Sequence, residues 1–169
     1  MSQWVYPAGT TADAEYDTSI LPGAADGWAH TGLQVTDLAA GESRVVVTGG
    51  LEYIVVPLAG GARVTVGEQA FVLAGRPDVF SAATDVLYIP RDATFTLTST
   101  EGGRYALCSA AAREALPVSH LPAADVPDEL RGAGPASRRV RNFGVPGVLG
   151  ADSIIACEVI TPAGNWSSY

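Results

Sequence analysis

The side chains able to do chemistry in this chain are few and scattered. His30 and His120 are its only histidines, far apart in sequence, and His120 sits in a proline-rich stretch. A catalytic metal needs several nitrogen or oxygen ligands converging on one point, so neither histidine is expected to be a ligand. Cys108 and Cys157 lie among apolar neighbours with no C-x-x-C spacing, which predicts buried free thiols rather than a disulfide or a nucleophile. Asp78, Asp85 and Asp92 are evenly spaced, at loop and strand ends where aspartate commonly bonds the local backbone. The sequence holds no glycine-rich phosphate loop, no G-x-S-x-G and no H-E-x-x-H. Its most polar aromatic stretch is the last, Gly164-Asn165-Trp166-Ser167-Ser168-Tyr169, in which a Gly-Asn turn leads into rings and hydroxyls. Chain ends are usually poorly ordered and bland, so this stretch reads as the approach to a site.

The elements that must position these groups are strands. Hydrophobic residues make up 47% of the 169 and charged ones only 17%, a balance that favours a folded core over disorder. Short segments rich in Val, Ile, Leu, Thr and Tyr follow one another: 33–38, 43–48, 52–58, 62–66, 69–73, 85–90, 94–99 and 104–110. Gly49-Gly50 and Gly60-Gly61 are read as turns between them. Phe95 and Leu97 alternate with Thr94, Thr96 and Thr98, so one face is buried and the other wet. The pattern predicts an all-β fold, an antiparallel barrel or sandwich spanning about Gly32 to Ala110. Val55, Val64, Leu87, Ile89, Phe95, Leu97 and Leu107 are its expected core.

Beyond Ala110 the texture changes. "AAAREALPVSH" has room for a turn or two of helix before Pro117, and Pro122, Pro127 and Pro135 then punctuate a stretch with few large apolar residues. Residues 116–139 are therefore expected to be a linker, leaving a barrel over 1–115 and the start of a second domain over 140–169. A last strand, Ser153 to Thr161, is apolar on both faces apart from Glu158. It is expected to be buried on two sides, against the barrel or another copy of the chain.

Net charge is −8, with ten basic residues. That balance argues against nucleic acid, whose binders cluster Lys and Arg on one surface. Arg138, Arg139 and Arg141 form the one local cluster, read as a solvated or interdomain surface. No apolar run reaches membrane-spanning length, and the Met1 end carries acids and aromatics rather than a basic, then apolar, leader. No membrane partner is expected, a cytoplasmic location is, and homo-oligomer formation is left open.

Two resemblances add to this reading. "LEYIVVPLAGGARVTV" (51–66) and "RPDVFSAATDVLYIPRDATFTL" (76–97) are similar to the paired motifs of the cupin superfamily, with Glu52 and Gly60 matching the tail of the first. The family's metal-binding histidines are absent: Val46, Val47 and Thr48 stand before Glu52, and Phe95 stands near the place of the second motif's histidine. Glu52 is accordingly expected to be a strand-end carboxylate rather than a ligand. "EVITPAGNWSSY" (158–169) closely resembles a signature of the 5-deoxy-glucuronate isomerase family, which are bicupins. "DVLYIP", "ALCSA" and "RRVRNF" agree in order and content, although Arg141 stands where many members have histidine.

The resemblance implies an aldose-ketose isomerase of myo-inositol catabolism that moves a carbonyl from C1 to C2 of 5-deoxy-D-glucuronate. In that family a Pro-Pro-His-x-His segment follows the terminal tyrosine, and its histidines, with a later Glu and His, bind a divalent metal. The metal would stabilise the enediolate while a base carries the C2 proton to C1. No catalytic residue and no metal is therefore expected within these 169 residues, which are expected to be inactive alone as a truncated form of a longer protein. The implied substrate-binding residues are Asn165, Trp166, Ser168 and Tyr169, which offer a sugar acid an amide, a ring face and hydroxyls. The alternative is a stand-alone metal-free cupin that binds a small ligand or serves in assembly.

Overall fold

The computed structural model describes residues 5–24 and 27–167. Twelve strands make up its regular structure: β1 Thr18–Ile20, β2 Thr31–Leu38, β3 Ser43–Val47, β4 Leu51–Val66, β5 Gln69–Arg76, β6 Val86–Ile89, β7 Thr94–Ser99, β8 Gly103–Ala111, β9 Ser119–Leu121, β10 Asp128–Arg131, β11 Arg138–Gly144 and β12 Ala156–Ile160. All pairings are antiparallel, as the alternating pattern requires. Nine strands form one sheet, ordered β1-β2-β8-β4-β6-β9, with β3, β5 and β7 joined through the far half of β4. The other three form a separate sheet, β10-β11-β12.

Gly60-Gly61 does not end a strand. β4 runs unbroken for 16 residues, pairing β6 and β8 through its first half and β5 and β7 through its second. The register slips at Gly60, whose φ is +78° and where any Cβ would collide with the Gly102 carbonyl. Only glycine lets the strand bend here without breaking. The bend carries one strand from the first layer into the second, which closes the barrel.

The first layer is apolar on both faces. Tyr53, Val55, Leu87, Ile89, Tyr105 and Leu107 turn inward to meet Val64, Leu73, Phe95 and Leu97 from the second layer. Tyr53 and Phe95 meet edge to face, ring centroids 5.9 Å apart, a favoured aromatic geometry. The expected core residues all lie in this interior, every one fully buried. The alternate residues Ile54, Val56, Val86, Tyr88 and Ala106 turn outward and pack under Leu121, Val126, Phe143, Leu149 and Ile154. The later part of the chain is thus a cover for the barrel's outer face.

Several expectations change. Residues 116–139 contribute β9 to the large sheet and β10 to the small one; proline lacks an N–H and limits these to short edge pieces. The turn of helix after Ala110 is absent, and the backbone N–H groups of Arg113 and Glu114 bond the Asp152 carboxylate instead. The last strand begins at Ala156, because the N–H groups of Ser153 and Ile154 are taken by Glu52. Among the described residues it pairs with β11 alone, and with no layer packed on its outward face Val159 is 42% exposed, as is Ile155, just before the strand, at 68%. Within the chain its outward face is therefore open, and Cys157 on it is exposed rather than buried. Cys108 on β8 is partly buried, and burial pushes its thiol up to about 11.

Candidate functional site

Three polar assemblies and the terminal stretch make up the candidate site, at the seam between the two sheets. Glu52 shares strand parity with Ile54 and Val56, so its side chain leaves the barrel rather than entering it. Oε1 accepts the backbone N–H groups of Ser153 (2.6 Å) and Ile154 (2.5 Å); Oε2 accepts that of Asp152 (2.9 Å) and the Tyr88 hydroxyl (2.8 Å). Each oxygen has two donors, which fills the capacity of a carboxylate. Glu52 is fully buried. Burial, with the carboxylate as a second cause, raises the Tyr88 phenol well above its usual range, so it stays a donor. The expected strand-end carboxylate is a clamp reaching a hundred residues along the chain.

The second assembly places Glu158 between two buried arginines. Arg76 meets it through Nη1 (2.9 Å) and Nη2 (2.5 Å), and Arg141 through Nη1 (2.7 Å). Both arginines also donate to the Ala82 carbonyl, Arg76 donates to Pro57, and Arg141 meets Asp128 at 3.3 Å. Such a buried group is tolerated because both arginines reach carbonyls as well as carboxylates. The single charge in the apolar last strand was the visible signal for it. Arg76 and Asp128 carried none.

Asp85 forms the third. It is buried at the mouth of β6 and accepts the N–H groups of Ala74 (2.7 Å) and Gly75 (3.0 Å), which ties β5 to β6 where the ladder has no pairing. His120, brought beside it by the β6–β9 pairing, lies 3.4 Å away through Nε2, a long contact. Asp78 and Asp92 do serve turns, Asp78 bonding the N–H groups of Phe80 and Ser81, and Asp92 adopting φ 57°.

The terminal stretch folds back on the second of two 3₁₀ turns, Gly134–Ala136. The Trp166 N–H donates to the Pro135 carbonyl at 2.8 Å, and Asn165 Nδ2 donates to that of Ser137 at 2.8 Å. The Trp166 side is open, with 69% of the residue exposed. Ser168 and Tyr169 lie outside the described residues.

These residues do not fit a metal ion. Among the described residues no three His, Cys, Asp or Glu side chains come together as a ligand set. Glu52 has no lone pair to spare, and the barrel interior is lined by buried apolar side chains, Val55, Leu87, Phe95 and Leu107 among them with no accessible surface.

Comparison with known proteins follows the same outline. A protein named 5-deoxy-glucuronate isomerase from Geobacillus kaustophilus (strain HTA426) is 34% identical over 145 residues, 85% of this chain and 52% of that protein. One of the same name from Bacillus subtilis (strain 168) is 36% identical over 139 residues, 81% of this chain and 51% of that protein. The chain spans about half the length of the curated relatives it matches. The crystal structure of an IolB-like protein from Salmonella typhimurium LT2 superposes with a TM-score of 0.83 at 30% identity, covering 92% of this chain and 59% of that one. A putative glyoxylate induced protein from Pseudomonas aeruginosa shares the fold at 11% identity, TM-score 0.57. The family model described as KduI/IolB matches residues 4–169, and the chain belongs to the KduI/IolB family.

Proposed function

We propose that this chain serves an isomerase that converts 5-deoxy-D-glucuronate to 5-dehydro-2-deoxy-D-gluconate, and that it forms the scaffold half of that enzyme. The observation that carries the reading is the similarity, over more than four-fifths of the chain, to relatives named 5-deoxy-glucuronate isomerase. The metal-binding part is assigned to the portion of those longer relatives that has no counterpart in this chain, because the described residues lack a ligand set. What this chain contributes is a rigid wall. The Glu52 clamp and the Arg76–Glu158–Arg141 group hold the small sheet against the barrel, and the small sheet leads into Asn165 and Trp166. Asn165, Trp166, Ser168 and Tyr169 are proposed to face the sugar acid. Two free cysteines fit the reducing cytoplasm in which this reading places it.

A barrel holding a small ligand inside is not favoured, since side chains beside a water-sized void would show accessible surface, and Tyr105, Phe95 and Leu107 show none. The reading is tested by assaying the 169-residue chain alone, and joined to the remaining part of the Bacillus subtilis relative, with 5-deoxy-D-glucuronate and divalent metal. Ketose formation is expected only from the joined protein, and the short chain is expected to give at most about 10⁴-fold over water, against the 10⁶-fold or more of a working enzyme. A joined protein that folds by circular dichroism and fails to turn over would overturn the assignment. Turnover by the short chain at a comparable rate would overturn the placement of the site.

A further inference from the structure

The arginine cluster divides in the fold. Arg139 meets Asp128 at 3.0 Å, and Arg141 meets Asp128 and Glu158. Arg138 has no carboxylate partner among the described residues. Its one side-chain hydrogen bond there runs from Nη1 to the Ala136 carbonyl, 2.9 Å, leaving Nε and Nη2 unused. In a chain with 18 acidic residues against 10 basic ones, an arginine without an acid beside it is not explained by a shortage of acids.

Its neighbours give it a use. Three consecutive carbonyls, those of Pro135, Ala136 and Ser137, accept respectively the Trp166 N–H, the Arg138 guanidinium and the Asn165 amide. That stretch thus holds a half-buried cation, a positioned carboxamide and a residue with an exposed indole on three successive carbonyls. Arg138 is fixed by one nitrogen with the rest of its fork available, Asn165 keeps its side-chain oxygen, and Trp166 is anchored through its backbone with its ring left open. A planar fork matches a carboxylate bidentately, an indole face packs on the C–H face of a sugar, and an amide oxygen accepts from a hydroxyl.

We propose that Arg138, Trp166 and Asn165 form a sugar-acid subsite, in which Arg138 binds the carboxylate and Trp166 and Asn165 bind the hydroxylated carbon chain. The subsite rests on the isomerase reading for its natural substrate, and on geometry alone for its ligand class. Arg138 thereby becomes the residue that selects an acid over a neutral sugar.

The test uses the 169-residue chain and D-glucuronate as the probe, with D-glucose and acetate as controls, followed through the Trp166 indole resonance in ¹⁵N spectra and identified with Trp166→Phe. D-Glucuronate is expected to shift that resonance saturably, with D-glucose and acetate each at least about tenfold weaker, the scale of one lost charged hydrogen bond. Arg138→Gln is expected to remove the preference for glucuronate over glucose, and Arg138→Lys to restore part of it. The fold of each variant is checked by its thermal melt, and if Arg138→Gln melts early the Arg138→Lys and glucose arms still decide. Equal binding of glucose and glucuronate, or no shift of the Trp166 resonance with glucuronate, would sink the proposal. Failure of the isomerase reading is separately visible: Arg138-dependent glucuronate binding without turnover by the joined protein leaves the subsite standing, whereas turnover whose KM is unmoved by Arg138→Gln removes the subsite and keeps the isomerase.

Discussion

The two sheets of this molecule are held by different physics. The nine-stranded barrel closes over two apolar layers, with side chains such as Phe95, Leu97 and Leu107 fully buried. The three-stranded sheet leaves Leu130 80%, Ile155 68% and Val159 42% exposed. It is tied to the barrel by buried charges, Glu52 on three backbone N–H groups and Glu158 between Arg76 and Arg141. Apolar packing is non-directional and tolerates small shifts, whereas a hydrogen-bonded carboxylate fixes position and direction. The cover too is held by apolar contact, of Phe143, Leu149 and Ile154 over Ile54, Val86 and Tyr88, and the polar ties fix where on that apolar face it sits.

Phe95→Ala should give the largest effect. It empties the centre of the barrel and breaks the edge-to-face pair with Tyr53, at a cost of about 3–5 kcal/mol. Urea unfolding should show one transition moved to lower denaturant, with the whole chain affected. Were the small sheet to keep its amide protection while the barrel lost its own, the barrel would not be the small sheet's support.

Glu52→Ala follows, at about 3 kcal/mol, because the Tyr88 hydroxyl and the N–H groups of residues 152–154 lose a charged acceptor together. Its signature should be local. Amide exchange at Ser153, Ile154 and along β12 should accelerate strongly, with Val55 and Leu107 still slow. Arg76→Met should cost less, about 2 kcal/mol, since Arg141 still pairs with Glu158. The same local signature is expected at Glu158, and equal acceleration in the barrel would erase the distinction between the two regions.

The thiols sharpen the contrast further. Cys157 on the open strand should take one equivalent of a thiol reagent at pH 8 within minutes, and Cys108, with its thiol pushed up to about 11 by burial, should react only on unfolding. The smallest effect expected is with alkali. Tyr16, raised by burial to about 12 from 10.0, and Cys108, raised from 9.0, are both favoured neutral in the folded state. Their contribution is complete below pH 9 and is lost as pH climbs through about 11 to 12. The urea midpoint should therefore hold level to about pH 9 and then fall, and a rise above that pH would contradict the assignment.

The barrel was legible because alternation is local. Phe95 and Leu97 set against Thr94, Thr96 and Thr98 announce a strand, its faces and its buried side. The same local logic misread Gly60-Gly61, since a glycine pair looks alike whether it turns a chain back or bends a strand through φ +78°. It could not tell how far the barrel would cover β12: Ile155 and Val159 are as apolar as core residues, and among the described residues no layer packs on the face they present.

Composition and spacing were enough to establish an antiparallel all-β fold and its core residues, because each follows from which side chains recur and at what period. Tertiary structure alone decided that Glu52 points outward to Ser153 and Ile154, that Asp85 ties β5 to β6, and that Glu158 lies between Arg76 and Arg141. It also separated Arg138 from its two neighbours and hung it on the same stretch, 135–137, that holds Asn165 and Trp166. These pairs lie tens of residues apart, and a carboxylate carries no mark of its partner. Which backbone N–H or guanidinium it meets depends on the path of the whole chain, and a displacement of a few ångströms is enough to lose a hydrogen bond.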